Sequence, residues 1–409
     1  MLTLSLVAML GGCAGVNQLG ERIDGLGGST AQAPAVGPQH SSEFGQSEAE
    51  AAVAHLPKID VIVPVFDPNL PEDSDTWEKK GIYPELRRAE SNRFALKMKA
   101  ALEDTNVFGS VRVTPSASAT GELYVLGKIL QSNGEDVRIN IAVADISARK
   151  WLDRDFSHRV KESFQTDLRN KGKDPYEPVF ADAAAHVVEQ LSRRDAAALD
   201  DLRLLGELRF GASLSEETFA RYLRTRNGRV SAVAAPAADD PMRTRIQPIR
   251  VRDQLFMDEM QTHYTDFNQR LDSSYLIWQQ QSLLEVKAAR EAKRKSIAKG
   301  ILGGLLVVAG VAVGAQADNN VGEEIASVGA TVAGALVLGS SFQDRAEMKM
   351  HREALAELGK SIDIEVAPQV VEYENKTAEL SGDAAEQYAQ WIEFLKRIYE
   401  LEATPDKEL

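Results

Sequence analysis

From Val251 to Lys299 neither Gly nor Pro interrupts the chain, and Phe256, Met260, Tyr264, Phe267, Leu271, Tyr275, Trp278, Leu283 and Val286 recur at steps of three, four or five residues. That spacing gathers apolar bulk on one side of an α-helix. A helix of this length draws its stability from packing rather than propensity, so it needs a surface to lie on along most of its course.

The same segment ends in a second constraint. Ile301 to Ala315 (ILGGLLVVAGVAVGA) and Ile325 to Ser341 (IASVGATVAGALVLGSS) carry no charge and are separated by Asp318-Asn319-Asn320 and Glu323-Glu324. Each run is shorter than the roughly 20 residues that span a bilayer upright, so the pair reads as a helical hairpin. Small residues sit four apart at Gly300 and Gly304, at Gly310 and Gly314, and at Gly322, Ala326, Ala330 and Gly334. On a helix this spacing makes a stripe without bulk, against which another backbone can approach closely. Three arrangements satisfy it: insertion into or contact with a membrane, the core of an oligomer, or the core of a monomeric bundle. Lys287, Arg290, Lys293, Arg294, Lys295 and Lys299 lead into the hairpin and suit anionic head groups or snorkelling.

At the N-terminus, Met1 to Leu10 is an apolar run of signal-peptide length without a preceding Lys or Arg. Leu10-Gly11-Gly12-Cys13 follows it and resembles the bacterial lipobox; Cys13 is the only cysteine of the chain. The resemblance implies cleavage before Cys13, acylation of that residue and, with Ala14 rather than Asp next to it, sorting to the outer membrane with the protein on the periplasmic face. Several acyl chains on one residue give stable anchoring at about 0.8 kcal/mol per buried methylene. Ala14 to Leu56 is rich in Gly, Ala, Ser, Gln and Pro and is expected to be a flexible tether.

Between these ends the patterning predicts an α+β domain. Lys58 to Phe66 is a β-branched run closed by Asp67-Pro68-Asn69. Pro84 opens a helix carrying Leu86, Ala89, Phe94, Leu96, Met98 and Leu102. Val111 to Val113 is a strand, and Glu122 to Leu130, Val137 to Asp145 and Trp151 to Val160 are three more, with Asn133-Gly134 turn chemistry between the first two. A helix from about Tyr176 to Leu191 closes the unit.

The order of helix, Phe108-Gly109-Ser110-Val111, Leu123-Tyr124-Val125-Leu126-Gly127 and a strand ending Val143-Ala144-Asp145 resembles the small domain shared by the periplasmic TolB N-terminal region, the outer-membrane activators of penicillin-binding proteins and the curli secretion channel lipoprotein. Gly121-Glu122 stands where that pattern has Ala-Asp, and Ala148-Arg149 where it has Thr-Gly. The resemblance covers about a quarter of the chain and implies binding or assembly; no catalytic residue carries over.

The expected organisation is therefore a signal peptide at 1–12, lipidated Cys13 and tether at 13–56, the α+β domain at 57–194, helices and a linker at 195–250, the long helix at 251–299, the Gly-rich hairpin at 300–341 and C-terminal helices at 342–409. Within 195–250, residues 229–247 read as linker or surface loop. In the last segment Ile362 to Tyr373 alternates like an edge strand broken by Pro368. A final helix from about Ala384 to Leu401 has Tyr388, Trp391, Ile392, Phe394, Leu395, Ile398 and Tyr399 on one side, a face for which the long helix is the simplest partner.

A net charge of −14 argues against a nucleic-acid binder. The histidines at 40, 55, 158, 186, 263 and 351 make no pair of metal-ligand spacing, and no nucleophile elbow, Walker loop or dinucleotide fingerprint occurs. Asp239-Asp240 and Glu323-Glu324 read as solvated loop charge. No catalytic residue, metal site or cofactor beyond the lipid on Cys13 is expected. The function that follows is a non-enzymatic structural or assembly lipoprotein: a homo-oligomer or part of an envelope complex, membrane-attached through its acyl chains and the hairpin, and suited to an export channel. A monomeric regulator docking on a periplasmic enzyme is the alternative.

Overall fold

A computed structural model describes residues 48–77, 82–164, 167–237, 239–310, 356–357, 359–360, 363–373 and 376–403, which belong to one compact unit spanning Gln46–Leu409. Cys13 lies outside the described residues, as do Gly314, Gly322, Ala326, Ala330 and Gly334 and most of the charged helix expected after Phe342.

The class is α+β. A five-stranded sheet has the order β2-β1-β3-β4-β5, formed by β1 (Val61–Pro64), β2 (Val111–Thr114), β3 (Leu123–Ser132), β4 (Asp136–Asp145) and β5 (Lys150–Arg159). β1 is parallel to both β2 and β3, while β3, β4 and β5 form an antiparallel meander. The crossover from β1 to β2 is α2 (Pro84–Asp104), and α3 (Glu177–Leu191) lies against α2, β4 and β5. All four residues of β1 are buried, as a strand flanked on both edges requires, whereas β4 alternates buried positions with half-buried or exposed ones. Under the helices, Phe94 meets Phe66, Tyr176 and Phe180 edge-on at 6.4, 6.2 and 5.2 Å. Gly127 leaves room for this packing, since a Cβ there would stand 2.2 Å from the Phe66 ring. The strands and helices expected between 58 and 191 thus form, each shifted by a few residues at its ends.

Five expectations are corrected. The tether does not extend to residue 56: α1 (Glu48–Val53) packs on α3 and buries Val53, so apolar burial outweighs the Ala/Glu-rich composition. Residues 229–247 are not a linker. After α4 (Ala196–Leu214) and α5 (Glu216–Phe219), β6 (Leu223–Arg226) and β7 (Arg229–Ala232) make a hairpin through Asn227 and Gly228, both at positive φ (52° and 73°). That is the two-residue turn that Asn-Gly favours.

The long helix, α6 (Pro241–Gly310), starts ten residues before the expected Val251 and runs past the expected break at Gly300. Asp240 caps it, accepting from the Met242 N–H at 2.8 Å, so this carboxylate is a helix cap rather than loop charge. Pro248 lies inside the helix, where a proline costs about 3 kcal/mol; the full burial of Ile246 and Ile249 on either side offsets it. Gly300, Gly304 and Gly310 are helical, and an interior glycine costs only about 1 kcal/mol, too little to end a helix. In the 342–409 segment the strand expected within Ile362 to Tyr373 forms after Pro368 as β8 (Gln369–Tyr373), and the correction is its unexpected partner β9 (Lys376–Leu380), which precedes the final helix α7 (Ala384–Ala403). Among the described residues no helix is long and apolar enough to cross a membrane.

Candidate functional site

The most developed feature is the seat of α6. Its apolar stripe is buried from Phe256 to Leu283, with Phe256, Met260, Tyr264, Phe267, Leu271, Tyr275, Trp278 and Leu283 each at most 4% exposed, while Val286 at its end is half-buried. The polar ties along the same flank set its register.

Near the start, Arg243 forms a two-pronged pair with Glu207 of α4 at 2.7 and 3.0 Å, and Arg245 donates to the Tyr399 carbonyl of α7 at 2.6 Å. Arg250 donates to Glu122, at the foot of β3, at 2.8 Å. One turn on, buried Asp253 accepts from the Trp391 indole at 3.2 Å, and Phe256 stacks on Trp391 at 4.8 Å with 15° between the rings. The aromatic face of α7 therefore docks on the long helix. Burial pushes Asp253 up to about 7, against the pull of the Trp391 hydrogen bond and of Arg112 and Arg250.

The middle of α6 closes the sheet. Asp258 holds Arg112 of β2 at 2.6 and 3.1 Å, and the Gln261 amide bonds both backbone groups of Val113. An open β2 edge would be a template for further strands; here the helix occupies it.

Farther along lies the most deeply buried polar cluster. Arg93 of α2 is completely buried and reaches Asp174 at 2.7 Å, Asn268 at 3.1 Å and the Asp272 carboxylate, with its guanidinium 4.4 Å over the Tyr275 ring. Burial works against the charge of Arg93, but Asp174, Tyr275 and Asp272 outweigh it and raise its pKa. Asp174 is likewise opposed by burial and carried below its usual range by Arg93, the Tyr176 backbone N–H and Lys97. Beside them, burial raises Glu90, which accepts from the Tyr275 hydroxyl at 2.8 Å and from Ser132. Such a cluster contributes uniqueness of register more than net stability. Above it, Gly134 in the β3–β4 turn (φ 85°) abuts α6, and Glu135 pairs with both guanidinium nitrogens of Arg290, one at 2.9 Å.

Arg243 and Arg290 are thus the ends of a tied stretch of about 70 Å at 1.5 Å per residue, and α6 continues another 30 Å or so to Gly310. The sequence identified the apolar stripe and the partnership with α7. It did not identify Arg93, Arg112, Asp174, Asp258, Gln261 or Asp272, whose partners are distant in the chain. Among the described residues no group of three His, Cys, Asp or Glu side chains could hold a metal ion, and His55, His158, His186 and His263 sit on separate elements or turns. A cleft of about 450 Å³ lined by Lys58, Asp60, Glu122, Arg203, Glu207 and Arg250 is filled with ion pairs that are also ties of α6 or its neighbours. No protein family, curated protein or solved structure matches this chain.

Proposed function

We propose that this chain is a non-enzymatic envelope lipoprotein, anchored through lipid on Cys13, whose α+β unit holds α6 in fixed register and so presents the Gly-rich end of that helix for assembly. The observation that carries the reading is the tied stretch between Arg243 and Arg290. A helix needs no buried Arg93–Asp174–Asp272 cluster merely to cover a hydrophobic surface; fixed register matters when the far end must meet something at a defined place. What continues beyond Arg290 is a basic stretch and then the run whose small residues, Gly300, Gly304, Gly310 and Gly314, suit close helix pairing in lipid or in an oligomer core. The reading makes the protein a subunit of an oligomeric outer-membrane complex on the periplasmic face, of a kind suited to export.

Cell fractionation tests the anchoring. Cys13→Ser should lose acyl labelling yet stay partly membrane-bound through the Gly-rich segment, and Cys13→Ser lacking residues 300–341 should be fully released. Acyl labelling that persists in Cys13→Ser would refute the anchor, and complete release of Cys13→Ser alone would refute the second attachment.

A further inference from the structure

The turn from β4 to β5 brings two guanidinium groups together and leaves them no free carboxylate. Asp145, which closes β4, is wholly engaged. Its Oδ1 accepts from the N–H groups of Ser147 and Arg149 at 2.9 and 3.1 Å and from the Ser147 hydroxyl, and its Oδ2 accepts from the Trp151 indole at 2.7 Å. Those bonds hold Arg149 at the exposed corner of the turn, where its side chain has no ion pair or hydrogen bond among the described residues. They also fix the ring of buried Trp151, over which Arg194, in the turn between α3 and α4, lays its guanidinium at 4.5 Å. The Nε of Arg194 is enclosed and unpaired, and no hydrogen bond or ion pair takes up its terminal nitrogens among the described residues. Arg193, next to it, is already paired with Glu189 at 2.6 Å.

Stacking on the indole accounts for Arg194, which covers the Trp151 ring. It does not account for Arg149, whose charge only opposes that of Arg194. Burial lowers the Arg194 pKa, and the charge of Arg149 lowers it further, with Asp145 pulling the other way and Arg193 adding to the fall. Two positive groups are thus held side by side on a chain of net charge −14, at a cost that a bound anion would offset.

The donors select the anion. A carboxylate brings one charge and two oxygens, whereas a phosphate monoester or inorganic phosphate brings about two charges and at least three acceptor oxygens, enough for a paired hydrogen bond from each guanidinium. We propose that Arg149 and Arg194, seated on Trp151, form a binding site for a phosphate group. The stack on Trp151 sets the Arg194 fork in place before the ligand arrives, so little rotamer freedom is lost on binding. The Val230 N–H donates to the Ser147 carbonyl at 3.0 Å, which brings the exposed Arg229 to the same turn and strengthens the field on an incoming anion.

Phosphorus NMR of inorganic phosphate titrated with the full chain tests the site, since exchange with the bound state broadens the resonance. Arg149→Gln and Arg194→Gln should each weaken binding about tenfold or more, because each removes hydrogen bonds between charged groups. Arg194→Lys, which keeps the charge and loses the fork, should fall between Arg194→Gln and the parent. Arg169→Gln removes the same charge from an exposed arginine already paired with Asp167 and should bind like the parent. Arg149 is exposed, so Arg149→Gln should keep the parent's melting temperature. Two sources share this chemistry, a soluble phosphate and the head group of phosphatidic acid. Cosedimentation of the Cys13→Ser full chain, with and without Arg149→Gln, on phosphatidylcholine vesicles with and without phosphatidic acid separates them. A gain on phosphatidic acid that depends on Arg149 and is competed away by free phosphate assigns the lipid; broadening without that gain assigns a soluble phosphate; both uphold the site. Broadening by the parent no greater than by Arg149→Gln/Arg194→Gln overturns the proposal, as does a loss in Arg169→Gln equal to that in Arg149→Gln.

Discussion

Gln261 of α6 completes the hydrogen bonding of Val113 on β2: its Oε1 accepts from the Val113 N–H at 2.8 Å, and its Nε2 donates to the Val113 carbonyl at 2.9 Å. A side chain takes the place of a neighbouring strand, and the sheet stops there. Gln261→Leu leaves both backbone groups of buried Val113 unpaired, so urea unfolding should show a loss of about 1–3 kcal/mol. Gln280→Leu, at an exposed position of the same helix, should fall within about 0.5 kcal/mol of the parent.

The Arg93–Asp174 pair predicts non-additivity. Both side chains are almost wholly buried, and Arg93→Met alone strands the Asp174 charge, a loss of about 3–5 kcal/mol. Arg93→Met combined with Asp174→Leu removes both charges and should recover much of that loss. Chemical denaturation of the two single variants and the double variant closes the cycle; purely additive losses would show that the two side chains are not coupled.

Asp253 predicts a pH dependence whose sign is fixed. Its carboxyl is raised to about 7 in the fold by burial, so its neutral form is the one the folded state favours. The stability it supplies is complete below the unfolded carboxyl value near 4 and is lost as pH rises through 7, with a slope integrating to about 4 kcal/mol. Asp253→Asn keeps an acceptor for Trp391 and should flatten the slope, gaining on the parent at pH 8 and matching it near pH 4. Equal pH profiles for the two proteins would contradict the buried assignment.

Gly134 sits where the β3–β4 turn touches α6. A Cβ there would lie 2.6 Å from Ser282 Cβ and 2.8 Å from the Gln279 carbonyl, at a φ of 85° that L-residues resist. Gly134→Ala should therefore destabilise by more than the 1 kcal/mol or so of backbone strain alone. It should also push the turn off the helix, raising hydrogen exchange around Glu135 and Arg290.

The local grammar of the chain was legible where periodicity and burial agree. The alternation of Val137, Ile139, Ile141 and Val143 marks β4, and the apolar steps from Phe256 to Leu283 mark the buried side of α6. Two further signals were present but outweighed in the reading. Asn227-Gly228 between Leu223–Arg226 and Arg229–Ala232 is a hairpin turn, hidden because its outward residues are all charged or polar. Asp240-Pro241 is a cap followed by a first-turn proline, hidden because Asp239-Asp240 suits solvated loop charge equally well. The polar ties of α6 were not legible. Gln261 and Val113 are 148 residues apart, Arg93 and Asp272 are 179 apart, and only the fold brings them together.

The central claim is that the tied helix serves assembly through its Gly-rich end. Native mass of the detergent-extracted, lipidated full chain tests it most directly, measured beside Gly304→Leu/Gly310→Leu/Gly314→Leu. The account predicts a defined oligomer for the parent and its breakdown to smaller species in the variant, with the melting temperature of the α+β unit unchanged. A monomeric parent, or an oligomer of the same mass in both, would contradict it.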